Sequence, residues 1–178
     1  RIPVIIDVEN KKVIEPSTEL FHSQYRVSRP EWDGNDQTLT FEFNERGHKH
    51  YRILEMDLEG NVRTLIEEAN DKYVAYSRNL RRDFDGGNKI LWKSDRDGHA
   101  HLYIYDRKKD KLTQVTKGDF WVRGVQHIDF DSKKNKGVIY FSANGMGYKN
   151  MGTVQSSFDG PIPQEDPYNV HYYRIDTN

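Results

Sequence analysis

The sequence predicts an all-β chain, a partial β-propeller of about three four-stranded antiparallel blades. Three observations predict it. A hairpin segment is written twice, 51 residues apart, as Glu45-Arg46-Gly47-His48-Lys49-His50-Tyr51-Arg52-Ile53 and Arg96-Asp97-Gly98-His99-Ala100-His101-Leu102-Tyr103-Ile104. A third, degraded copy ends in His171-Tyr172-Tyr173-Arg174-Ile175. Self-similarity at a period of roughly forty to fifty residues marks repeated blades, not one compact sheet. The composition agrees, with 35% hydrophobic and 31% charged residues but Tyr 11, Phe 8 and Trp 3. That balance suits half-buried strands with polar outer faces and argues against both disorder and a large helical core.

Taken in order, Val4 to Ile14 reads as the last two strands of a preceding blade, spanning residues 1–20. The first complete blade covers 21–71, the second 72–119 and the third 120–178. Each has an aromatic or acidic turn, such as Trp32-Asp33-Gly34 or Phe84-Asp85-Gly86, and then an alternating strand. These strands are Leu39-Thr40-Phe41-Glu42-Phe43, Ile90-Leu91-Trp92-Lys93-Ser94 and Val138-Ile139-Tyr140-Phe141-Ser142. All are rich in the β-branched and aromatic residues that pack on a pleated face. Second strands are expected from His50 to Asp57, His101 to Asp106 and His171 to Asp176, and third strands over 61–66 and 111–116. Lys72-Tyr73-Val74-Ala75-Tyr76 and Phe120-Trp121-Val122-Arg123-Gly124-Val125 are expected to open the next units. The third blade carries a loop insertion over 146–167, rich in Gly and Pro.

Lys plus Arg (27) nearly cancel Asp plus Glu (28), for a formal charge of −1. No global field draws nucleic acid or anionic lipid, so neither nucleic-acid binding nor membrane contact is expected of this segment. The runs Arg107-Lys108-Lys109 and Lys133-Lys134-Asn135-Lys136 fall at turns and read as solvated hairpin tips. There is no Cys, which excludes a disulfide framework and thiol chemistry. No apolar run approaches a membrane span, and the opening Arg1-Ile2-Pro3 reads as a cut inside a longer protein.

Neither a G-x-S-x-G elbow, a Walker A loop nor an H-E-x-x-H helix occurs, and no catalytic residue is expected here. Ser77, Ser94, Ser142, Ser156 and Ser157 lack a paired His in sequence context. The pairs His48/His50 and His99/His101 could suit a transition metal. Their recurrence, with His171, at equivalent blade positions instead predicts structural residues, so no metal or cofactor is expected. Asp95-Arg96-Asp97-Gly98 starts like a calcium loop but reads as a turn, since the later acidic ligands are missing.

The run from Trp92-Lys93-Ser94-Asp95-Arg96-Asp97-Gly98 through His101-Leu102-Tyr103-Ile104-Tyr105-Asp106, followed by Leu112 to Val122, resembles the amino-terminal propeller of dipeptidyl peptidase IV-type serine peptidases. Ile139-Tyr140-Phe141-Ser142-Ala143-Asn144-Gly145 and His171 to Ile175 are similar to that family's next blade, in the right order. The resemblance implies an eight-bladed propeller capping an α/β-hydrolase domain. There a Ser-Asp-His triad would cleave dipeptides from peptide amino termini, often after Pro. The family's paired-glutamate motif has no counterpart in this chain, and Glu67-Glu68, at a blade's end, is not given that role. Tyr73-Val74-Ala75-Tyr76-Ser77-Arg78 is similar to the family segment that sends an aromatic and an arginine toward the substrate cavity. By this resemblance Arg78 and Tyr76 are the expected substrate-binding residues.

The expected function is therefore that of a non-catalytic propeller segment, gating and positioning a peptide for an α/β-hydrolase domain in an exported exopeptidase. Its partners would be the peptide substrate and that domain, and open blade edges predict self-association of the segment alone. The rival reading is a stand-alone propeller acting as a protein-binding platform, told apart by whether the reading frame continues into a G-x-S-x-G elbow. A carbohydrate-acting propeller would need paired carboxylates that nothing in the sequence singles out.

Overall fold

The computed structural model describes residues 2–34, 36–78, 80–118, 120–145, 155–156 and 169–177. Strands β1 (Ile5–Asp7) and β2 (Lys12–Ile14) form an antiparallel pair. Next, β3 (Gln24–Val27) and β4 (Glu31–Trp32) both pair with β5 (Thr38–Glu45), which continues into β6 (His50–Asp57) and β7 (Val62–Ala69). Pro30 separates β3 from β4, where a residue without an N–H cannot extend the ladder. The following sheet is a simple meander of β8 (Leu80–Phe84), β9 (Lys89–Ser94), β10 (His101–Asp106) and β11 (Lys111–Gln114). The last contains β12 (Phe120–Asp131), β13 (Lys136–Gly145), β14 (Gln155–Ser156) and β15 (His171–Asp176), in the order β12-β13-β15-β14. The chain is all-β, a partial β-propeller, and it divides into two compact units, Arg1–Ser77 and Arg78–Asn178.

Two elements differ from the sequence expectation. Residues 72–76 do not form a strand; a 3-10 turn follows at Tyr76–Arg78, and the innermost strand β8 begins only at Leu80. The backbone there is satisfied locally: the Asn70 side-chain oxygen accepts from Lys72 N at 2.9 Å and Tyr73 N at 3.1 Å, and Val74 N donates to His48 O at 2.8 Å. With those donors used, no ladder is left for this stretch to join. Most of the 146–167 segment lies outside the described residues, but Gln155–Ser156 within it pairs with Arg174 and Tyr173 of β15.

Aspartates set several of the turns. The Asp106 carboxylate accepts from Lys108 N and Lys109 N at 3.1 and 3.2 Å, and Asp131 accepts from Lys133 N and Lys134 N at 2.9 and 3.2 Å. Each such turn closes on a left-handed residue, Asp110 (φ 48) or Asn135 (φ 50), types that tolerate that conformation. The β6–β7 turn uses Asp57 likewise but closes on Gly60 at φ +91. A Cβ at Gly60 would lie 2.8 Å from Glu15 O, so both the angle and the space require glycine there.

Alternation then builds one core in each unit. In the first, Leu39, Phe41 and Phe43 of β5 meet Leu54 and Met56 of β6 together with Ile5 and Phe21. The Phe21 and Phe41 rings are edge-on at 5.3 Å. In the second, Leu91 and Leu102 pack with Phe120, Val122, Ile139, Phe141 and Tyr173. Each of these large apolar side chains contributes about 2–3 kcal/mol on burial, which is why a chain with so modest an apolar fraction can hold its sheets.

Candidate functional site

In the first unit, Tyr76 stands in a surface cluster of aromatic rings. The β5–β6 turn takes Gly47 to φ +98 and His48 to φ +57, which lifts the imidazole out of the ladder. His48 Nδ1 lies 3.0 Å from Asn44 Oδ1, fixing the ring plane. Tyr76 stacks on it with centroids 4.8 Å apart, while Tyr25 and Tyr73 meet it edge-on at 4.6 and 5.7 Å. Tyr51 lies parallel to Tyr76 at 6.4 Å, and its hydroxyl donates to the Glu42 carboxylate. Residues 70–76 reach this surface because Asn70 turns the chain and buried Val74 anchors it to the hairpin backbone.

The Tyr76 phenol is pushed above its ordinary range, first by desolvation, then by neighbouring Tyr25 and Tyr73, with Arg26 opposing. It stays a neutral hydroxyl at physiological pH. Tyr25 and Tyr73 keep about half their surface exposed, at 56% and 51%. Such a platform offers ring faces to planar or apolar groups and hydroxyls at its rim, the pattern of a site that grips a ligand without charge.

In the second unit, Arg78 has a side chain 65% exposed, with Nη1 4.0 Å from Asp95 Oδ2. Lys93 of β9 donates from Nζ to Arg123 O at 3.3 Å. Its ammonium is pushed below the usual lysine range, chiefly by burial; Asp95 opposes this, while Arg123 and Arg78 add to it. Lys93 thus has two cationic neighbours, Arg78 and Arg123, and Asp95 lies near both Lys93 and Arg78. The field of these cations suits a carbonyl oxygen or carboxylate.

The sequence pointed to Tyr76 and Arg78 but missed Tyr25, His48, Tyr51, Lys93 and Arg123 as their companions. Tyr25 and Tyr51 could have been flagged as aromatics on strands flanking one hairpin. Lys93 and Arg123 come from different strands, and only the fold brings them together.

The sequence matches, over residues 3–178, the family described as the dipeptidyl peptidase IV (DPP IV) N-terminal region. The chain belongs to that family. Among solved structures, this dipeptidyl peptidase IV-type region is similar to Porphyromonas gingivalis dipeptidyl peptidase 4, at 17% identity and a TM-score of 0.61, covering 89% of this chain and 24% of that one. It is also similar to a Bacteroides ovatus ATCC 8483 protein provisionally described as a dipeptidyl aminopeptidase IV, at 22% identity and a TM-score of 0.55, covering 81% of this chain and 22% of that one. At these identities the likeness is one of fold. The chain spans about a quarter or less of each protein's length.

Other polar residues of this dipeptidyl peptidase IV-type region have structural partners. Glu67 accepts from Arg52 Nε at 2.8 Å and lies 2.9 Å from His50 Nδ1, and Glu68 is buried. Partial burial pushes the Glu67 carboxyl up, but the hydrogen bonds from His50 and Arg52 outweigh it and hold the group below its usual range. Ser94 is buried and accepts from Arg96 N and Nε at 3.1 and 2.9 Å; Ser142 is buried with Gln126 Nε2 at 3.4 Å. Ser157 lies outside the described residues. Among the described residues, no three His, Cys, Asp or Glu side chains gather as a metal site would need. No helix among them is long and apolar enough to cross a membrane.

Proposed function

We propose that this chain is part of the non-catalytic propeller of an exported dipeptidyl peptidase IV-like serine exopeptidase, where it gates and positions the peptide substrate. The covalent chemistry belongs to an α/β-hydrolase domain elsewhere in the full-length protein. The observation that carries the reading is the exposed ring cluster around Tyr76, at the start of the 3-10 turn that ends in Arg78. In this role the ring faces pack on the peptide's planar amides and apolar side chains, with Pro favoured by its flat, pre-formed shape. The neutral Tyr76 hydroxyl donates to a carbonyl without adding charge. Arg78, supported by Lys93 and Arg123, draws peptide oxygen atoms by long-range attraction and a charge-assisted hydrogen bond.

The test is a product assay on the full-length protein with peptides that have free or acetylated amino termini. Release of dipeptides from the free series alone is expected. Single residues released, or equal cleavage of acetylated peptides, would contradict the assignment.

A further inference from the structure

The two basic runs that read as separate solvated turns in the sequence meet at one cavity in the second unit. It has a volume of about 870 Å³ and lies at the end of the strands away from Arg78. Arg78 stands next to Asp95, beyond the Ser94 end of β9, whereas the cavity holds Lys89 at the opposite end of that strand. From the sheet β8–β11 come Lys109 and Lys111, and from the sheet β12–β15 come Lys134, Lys136 and Arg174. At its edge Lys89 is bound to Asp106 at 2.6 Å, both side chains mostly buried, so that pair neutralises itself. Asp176 is the other carboxylate on the lining. Cations therefore exceed carboxylates in a chain whose net charge is −1.

The aspartate turns place these groups. By accepting the N–H groups of Lys108 and Lys109, and of Lys133 and Lys134, Asp106 and Asp131 fix the turns that carry these lysines. Lys109 and Lys134 still lie 3.9 and 3.3 Å from those carboxylates, but both remain largely exposed. Between the basic rims the lining is apolar, with Ile104, Val115, Phe130 and Ile175. A concave surface of this size with cationic rims and an apolar wall is the make-up of a small-molecule site.

We propose that this cavity binds a small organic anion bearing phosphate or sulfate groups, with its ring or apolar body against Phe130 and Val115. Lysine dominates the rims and binds phosphate or sulfate oxygens as a point charge, and several such cations around one cavity attract a multiply charged oxyanion more strongly than a single carboxylate. Within the second unit this site lies at the end of β9 opposite Arg78.

The experiment is calorimetric titration of the full-length protein with adenosine 5′-diphosphate and, in parallel, with a disulfated disaccharide, the two probes distinguishing a phosphate from a sulfate source. Binding of at least one is expected, weakened about tenfold or more by Lys111→Gln/Lys136→Gln. Lys49→Gln/Lys72→Gln, on the first unit, should leave affinity unchanged. No binding of either probe, or equal binding by the parent and the Lys111/Lys136 variant, would overturn the proposal. Inorganic sulfate binding as tightly as both probes would also overturn it, because the apolar wall would then contribute nothing.

Discussion

His50 and His101 open corresponding strands of successive sheets, β6 and β10, from nearly the same sequence, and they end in opposite surroundings. The His50 side chain is 38% exposed and shares Glu67 with Arg52. His101 is 1% exposed, its ring edge-on to Phe120 at 4.9 Å, with Nε2 donating to Gly118 O at 3.0 Å and Nδ1 3.1 Å from Thr116 Oγ1. Since the Gly118 carbonyl can only accept, Nδ1 is the bare nitrogen and accepts from Thr116, whose oxygen takes Leu102 N–H at 2.9 Å. The turns differ too. Four residues, 46–49, join the first pair of strands, and six, 95–100, join the second. A repeated motif thus fixes where a side chain starts, while its role depends on what the next strand supplies. In one hairpin that is a carboxylate from β7, and in the other a threonine and a carbonyl beyond β11.

The largest expected difference between the hairpins is in stability. His101→Ala opens a core cavity and strands Thr116, costing about 3 kcal/mol in urea unfolding, whereas His50→Ala should cost under about 1 kcal/mol. Equal losses would remove the contrast. A smaller effect separates them by pH. Burial holds the His101 imidazole below its ordinary value of 6.5, with His99 adding to the depression and Asp97 and Gly118 opposing it. The unfolded chain then binds the extra proton more readily than the native one, so the contribution is full above pH 6.5 and is lost progressively below it. Glu67 acts in a lower window: its native carboxyl is held below 4.5, so its contribution persists above that pH and fades as pH falls through the native value. Unfolding curves across pH should show the first loss vanish in His101→Asn and the second in Glu67→Gln. The smallest effect is that of Glu67→Gln at neutral pH, about 0.5–1 kcal/mol, because the ion pair is partly exposed.

The strands were legible where the repeat marked them. His50 to Asp57, His101 to Asp106 and His171 to Asp176 are bounded as the sequence predicts, each opening at the repeated histidine and closing at an aspartate. Residues 72–76 were misread because Tyr-Val-Ala-Tyr looks like a strand, while the Asn70 side chain that captures their backbone leaves only a single-letter trace. Of the candidate site, Tyr76 and Arg78 could be named from resemblance. Of the rings around Tyr76, Tyr25 and Tyr51 left a trace as aromatics near one hairpin, whereas Lys93 and Arg123, in the second unit, come together only through the fold.

The most direct measurement of the central claim is steady-state peptidase kinetics of the full-length protein carrying Arg78→Ala or Tyr76→Ala, on a peptide with a free amino terminus and Pro in second place. Under the proposed role, in which these groups position the peptide without taking part in bond breaking, both substitutions should lower kcat/KM by about tenfold, mainly through a raised KM. Unchanged kinetics in both variants would contradict a substrate-positioning role for this propeller surface.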